Sequence, residues 1–131
     1  MKSLIIDDSR AMRKILSRAM ISLGFDVIEA ADGREGFENF VEQFHDIEVV
    51  LVDWNMPVMN GLEFVKAVRS ESKYSSNKIV MVTTETEPAR MATALMAGVD
   101  EFVMKPFTTD ILVEKLKLIG VQLPIASTTE H

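Results

Sequence analysis

The chain has 131 residues, 47% hydrophobic and 26% charged, with a formal net charge of −6 and no cysteine. That length suits one domain with a single core, and the missing cysteines exclude a disulfide scaffold and any thiolate metal site. The acidic balance argues against a nucleic-acid partner and suits an ion or partner of positive charge, while the lack of a long apolar run or a basic-then-apolar leader predicts a soluble, cytoplasmic protein that contacts no membrane.

Lys2 to Asp7 is a short apolar run, predicted as a strand. Ser9 to Leu23 carries Met12, Ile15, Leu16, Ala19, Met20 and Leu23 at helical spacing. Ser9 can cap that helix and Gly24 can end it in the left-handed conformation. Phe25 to Ala30 returns to an extended pattern. Asp32 with Glu35 reads as a capping box, opening a helix with Phe37, Phe40, Val41 and Phe44 on one face.

Ile47 to Val52 is a near-continuous apolar strand, followed by a helix over Gly61–Arg69 with Leu62, Val65 and Val68. "SESKYSSNK", 70–78, reads as a polar loop leading into a strand over Lys78–Thr83. Pro88 fits a first helical position and Gly98 closes that helix. Glu101–Met104 is a fifth strand, and Thr108 or Thr109 caps a last helix with Leu112, Leu116 and Ile119. After Gly120 the periodicity stops, so 121–131 reads as a loose tail or truncated linker after a domain over 1–120.

The strands are apolar runs, not alternations. Such runs are expected in a parallel sheet covered by helices on both faces. The fold class is α/β, with five β–α units. In an open sheet of this kind ligands bind beyond the carboxyl ends of the strands.

Those ends carry chemistry. The first strand ends in Asp7 and Asp8, the third in Asp53, the fourth in Thr83 with Thr84 and Glu85 behind it. Lys105 and Pro106 follow the fifth. An unpaired buried carboxylate costs several kcal/mol, so something must offset this cluster. Carboxylates with water and a backbone carbonyl suit Mg²⁺, with Mn²⁺ as a substitute. Neither His45 nor His131 falls near a strand end, which disfavours zinc. One carboxylate could attack phosphorus, with a cation, an ammonium and a hydroxyl around the transferred group. Asp53, the metal, Lys105 and Thr83 form that set.

At this point "DD" at 7–8, "DWNMPVMNG" at 53–61, "VTTE" at 82–85 and "KPF" at 105–107 carry a resemblance. They lie in order over residues 2–120, and the chain resembles the receiver domains of bacterial two-component signalling, its single-domain chemotaxis members above all. The resemblance implies a flavodoxin-like doubly wound sheet of order 2-1-3-4-5. It implies that Asp53 is the phosphoacceptor for a histidine kinase, not a site of classical enzyme turnover, with self-phosphorylation from small donors and self-dephosphorylation. Asp8 and Asp53 would bind Mg²⁺ directly, with the Asn55 carbonyl, while Asp7 acts through water. Thr83 would bond the phosphoryl group and Lys105 would pair with it, often before a cis proline. Phe102 would be the rotameric switch, and Asn55, Thr84 and Glu85 would tune the acyl-phosphate lifetime. A monomer, a flagellar-motor target and a phosphatase complete the implied set.

There are departures from the family's pattern. Phe102 lacks a phenolic hydroxyl, Thr84 is larger than usual and could crowd the pocket, and Asn60 replaces a common Asp. Taken singly, several residues have plainer readings. Asp7 and Asp8 could only cap a helix, although Ser9 already does so. Phe102 alone reads as core, the methionines as core filler, Trp54 as partly exposed beside the site, and His45 as solvated.

Three other functions fit these residues less well. A flavin or nucleotide binder would want glycines after the first strand, where "DDSRAM" has none. A phosphohydrolase would want an acid two residues after its nucleophile, where Asn55 stands. An unphosphorylated interaction module would not need the acidic cluster. A receiver cut from a larger regulator, or one outside chemotaxis, stays open.

Overall fold

The structure, a computed structural model, describes residues 1–124. Its strands are β1 (Lys2–Ile6), β2 (Asp26–Ala30), β3 (Ile47–Val52), β4 (Lys78–Thr83) and β5 (Glu101–Met104). They alternate with helices α1 (Arg10–Ser22), α2 (Gly33–Gln43), α3 (Gly61–Arg69), α4 (Pro88–Ala97) and α5 (Thr109–Leu118). All strand pairs are parallel and the order is β2-β1-β3-β4-β5, as expected.

The two-residue alternation of a strand splits the core in two. Leu4, Ile6, Val50, Val52, Ile79, Met81 and Phe102 face α2, α3 and α4. Ile5, Val49, Leu51, Val80, Val82 and Val103 face α1 and α5. Successive residues are thus buried on opposite faces, which is why these strands read as continuous apolar runs. Gly36 lets α2 lie close, since a Cβ there would come within 2.3 Å of Ile6 Cδ1.

Local signals set the helix ends. The Ser9, Asp32 and Thr108 side chains accept from Met12, Glu35 and Ile111 N–H groups. Pro88 opens α4, and Gly24 and Gly98 take positive φ at helix ends. The reciprocal half of the box expected at Asp32 is absent, because Glu35 accepts from Ala31 N–H at 2.6 Å instead. The full capping box lies at Asn60 and Glu63, at 2.9 Å in each direction.

Other expectations need correction. Val41 is exposed, because α2 turns only Phe37, Phe40 and Phe44 inward. Residues 70–78 are not merely a polar loop. A 3-10 turn over Ser72–Tyr74 drives Tyr74 into the core against Phe40 and Phe44, and buried Asn77 donates to the Phe44 and Ile47 carbonyls. Past Gly120, Val121 and Leu123 are buried against the α1–α5 side of the sheet, so packing continues into the expected tail. Residues 125–131 of that tail lie outside the described residues.

Candidate functional site

The site forms at the carboxyl edge, where β1 and β3 stop. Asp7 N–H donates to the Ala30 carbonyl and Asp53 N–H to the Ile6 carbonyl, so both acids leave the sheet on its last pairing bonds. The turn behind Asp53 is fixed from within. Gly61 N–H donates to the Trp54 carbonyl at 2.8 Å. A Cβ on Gly61 would sit 2.2 Å from the Asp53 carbonyl oxygen, so only glycine lets α3 begin this close. Val58, at the exposed tip of that turn, takes φ 69°, an uncommon conformation for a β-branched residue.

Ligand atoms of Asp7, Asp8 and Asp53 all lie within 4.8 Å of one another. Asp7 and Asp53 are buried and Asp8 is exposed. The Lys105 ammonium bridges the two buried acids, 3.2 Å from Asp7 Oδ2 and 3.4 Å from Asp53 Oδ1. Asp7 Oδ1 accepts from Ser9 N–H at 2.8 Å. Burial, foremost, pushes the Asp53 carboxyl above its ordinary value. Lys105 opposes that shift and Asp7 adds to it.

Thr83 is buried at the end of β4. Its carbonyl accepts from Lys105 N–H at 2.9 Å and its hydroxyl from Glu85 N–H at 3.1 Å. The Lys105–Pro106 peptide is cis. Asn55 and Thr84 are exposed beside the turn and the β4 end. Phe102 is buried in the core on β5 and lines a mostly apolar hollow of about 470 Å³ with Met91, Met104, Phe107 and Ile111.

Three contacts were invisible in the sequence. Arg13 Nη1 donates to the Asp7 carbonyl at 2.7 Å, fixing the exit from β1. Its Nε lies 3.5 Å from Glu29 on β2. Burial opposes the charge on Glu29, but the Lys14 and Arg13 cations beside it hold its carboxyl below the ordinary value. Trp54, expected to be partly exposed, is buried beneath the Arg90 guanidinium of α4, 4.6 Å from ring centroid to Cζ. The one signal available was the presence of arginines on helices flanking the site, three on α1 and Arg90 on α4. It carries no pairing information.

Residues 3–117 match the family described as the response regulator receiver domain. The chain belongs to that family. Among relatives, this receiver is 48% identical over 118 residues to a chemotaxis protein CheY homolog of Campylobacter jejuni, covering 89% of this chain and 90% of that one. It is 46% identical over 120 residues to chemotaxis protein CheY1 of Helicobacter pylori, covering 91% and 96%. Among solved structures, chemotaxis protein CheY4 of Vibrio cholerae superposes with a TM-score of 0.83 at 38% identity, covering 90% and 97%. CheY in a CheX–CheY–BeF3–Mg complex from Borrelia burgdorferi gives 0.86 at 25% identity, covering 93% and 90%.

The site's chemistry fits a hard divalent cation. Three carboxylates cluster with no thiol or imidazole among them. Such ligands suit Mg²⁺, which retains waters and tolerates few protein donors. No helix among the described residues is long and apolar enough to cross a membrane.

Proposed function

We propose that this receiver is a chemotaxis signalling switch that accepts a phosphoryl group on Asp53 from a histidine kinase in a Mg²⁺-dependent reaction. The carrying observation is the cluster itself: Asp53 shares one edge with Asp7, Asp8 and Lys105, and its neighbours supply charges of both signs. The CheY relatives support the chemotaxis assignment, and the Mg²⁺ named with the Borrelia CheY supports the metal.

An Asp53 carboxylate oxygen attacks phosphorus. The phosphorus–nitrogen bond of the phosphohistidine breaks, and its electron pair stays on the imidazole nitrogen, which takes a proton. Bound Mg²⁺ supplies charge neutralisation for the transferred oxygens. Asp8, Asp53 and the Asn55 carbonyl would hold the ion directly. Asp7 would act through water, since both its oxygens already accept from Ser9 and Lys105. Lys105 pairs with the new phosphoryl group. Thr83 turns its hydroxyl from the Glu85 N–H toward it. That movement, and Phe102 beside the apolar hollow, would change affinity for a downstream protein such as a motor component. Asn55, Thr84 and Glu85 border the site and set how long the acyl phosphate lasts.

Intact-mass measurement after acetyl phosphate and Mg²⁺ tests this. One added phosphoryl group is expected on the wild type and none on Asp53→Asn. Undiminished labelling of Asp53→Asn overturns the assignment.

A further inference from the structure

Arg90 takes no part in the carboxylate cluster, yet it is held from two sides, by Glu85 and by the Trp54 ring. Its Nη1 lies 2.5 Å from Glu85 Oε1. Its guanidinium lies over the ring of Trp54, the residue after Asp53. Glu85 is itself fixed. Its Oε2 accepts from Thr86 and Glu87 N–H groups at 3.2 and 3.0 Å, and its own N–H donates to Thr83 Oγ1. The pair therefore spans from the Thr83 hydroxyl to the turn carrying Asp53. A guanidinium is suited to this double task, since it is planar, stacks on an indole face and still pairs with a carboxylate.

We propose that Arg90 is a positioning residue for phosphoryl transfer: seated on Trp54, it holds Glu85 aside and cancels its charge at the mouth of the site, so that an anionic phosphodonor can reach Asp53. The inference rests on the phosphoacceptor reading above. Three carboxylates, those of Asp7, Asp8 and Asp53, cluster around Lys105, and a fourth, Glu85, follows Thr83 at the same sheet edge and is paired with Arg90. Removing Arg90 leaves the Glu85 charge uncompensated beside acids that Lys105 and the bound metal already have to neutralise, and the incoming donor is negative too. Arg90 is 46% exposed in its side chain, so screening limits the effect to a modest factor that depends on salt.

The experiment measures initial labelling rates with acetyl phosphate at saturating Mg²⁺, at low salt and at about 0.5 M salt. Wild type is compared with Arg90→Ala, Arg90→Lys, the double variant Arg90→Ala/Glu85→Gln, and Lys73→Ala. Lys73 lies at the opposite edge of the sheet, beside Phe44 and Asn77, and matches the charge change. Acrylamide quenching of Trp54, the single tryptophan, reports the stacking directly.

Arg90→Ala should label about three- to tenfold more slowly at low salt, with the gap closing at high salt. The double variant should recover most of the rate, Arg90→Lys only part of it, and Lys73→Ala should match wild type. Trp54 should be more readily quenched in Arg90→Ala and in the double variant. An Arg90→Ala protein that labels like wild type at low salt, or a double variant as slow as Arg90→Ala, overturns this inference alone. A wild type that takes up no phosphoryl group overturns the phosphoacceptor reading and this inference with it.

Discussion

The Lys105 ammonium lies 3.4 Å from Asp53 Oδ1, yet the Asp53 carboxyl is still held above its ordinary value. One nearby cation does not outweigh burial together with a second acid. The resting site is thus short of positive charge, which is the condition under which a divalent ion is held tightly.

A carboxyl whose folded pKa is raised favours the folded state at low pH and loses that contribution as pH rises through the folded value. Asp53→Asn removes the titration. In EDTA it should melt higher than wild type at pH 7 to 8, by a margin that shrinks to nothing as pH falls to about 4, the ordinary carboxylate range. Thermal melts across pH check this. A margin that grows on acidification would reverse the sign assigned here.

Lys105→Ala leaves Asp7, 1% exposed, with the Ser9 N–H as its remaining hydrogen-bond donor. The loss in EDTA should be about 1–3 kcal/mol, the usual cost of stranding a buried polar group. Mg²⁺ should reduce that loss, because a second cation then faces the same acids. Urea midpoints with and without Mg²⁺ decide it. An equal loss under both conditions would mean that the lysine stem, not its charge, matters. The variant should still take up a phosphoryl group but couple it weakly to partner binding.

Asp8 is the exposed member of the cluster, so its repulsion toward Asp7 and Asp53 is partly screened. Asp8→Asn should raise stability in EDTA slightly and flatten the response to Mg²⁺. In wild type, Mg²⁺ at about 100 times its dissociation constant should add roughly 2.7 kcal/mol. A Mg²⁺ titration of the melting temperature measures both. If the variant gained as much as wild type, Asp8 would not be a ligand.

Gly61→Ala places a Cβ 2.2 Å from the Asp53 carbonyl oxygen and 2.9 Å from Trp54 Cα. Both are backbone atoms with little room to yield. The variant should lose at least about 2 kcal/mol, and because the strain falls on Asp53 it should also bind Mg²⁺ more weakly. Denaturant unfolding and Trp54 fluorescence on Mg²⁺ addition follow the two effects. A stable variant with unchanged Mg²⁺ affinity would show that the turn relaxes without moving Asp53.

The strand order came from the family resemblance, whereas the parallel sheet and the residues at its carboxyl edge were legible in the sequence itself. Burial on both faces leaves Asp7, Asp53, Thr83 and Lys105 as the polar interruptions of otherwise apolar runs. Side-chain partnerships across the fold were not legible. Nothing local says that Tyr74 in a polar stretch packs on Phe40, 34 positions earlier in the chain. The same holds for Arg90 over Trp54. Those pairings depend on how α2 and α4 lie on the sheet. The Asn60–Glu63 box was readable by the same spacing rule applied at Asp32. Val121 and Leu123 escaped because a two-residue alternation after a helix is too short to register as a pattern.

The two sides of the sheet differ in kind as well as in position. Seven of the nine aromatic side chains, Trp54, Phe102 and Tyr74 among them, belong to the side covered by α2, α3 and α4, and only Phe25 and Phe107 pack on the other. Magnetically, the protein is therefore lopsided. Methyl groups of Ile79, Met81 and Val65 sit among rings and should show dispersed ring-current shifts, whereas those of Val80, Val82 and Leu116 should crowd near random-coil positions. A rearrangement of Phe102 or Trp54 would be written into the first set and pass almost unseen in the second, so a single methyl spectrum can tell which layer of the molecule answers a signal.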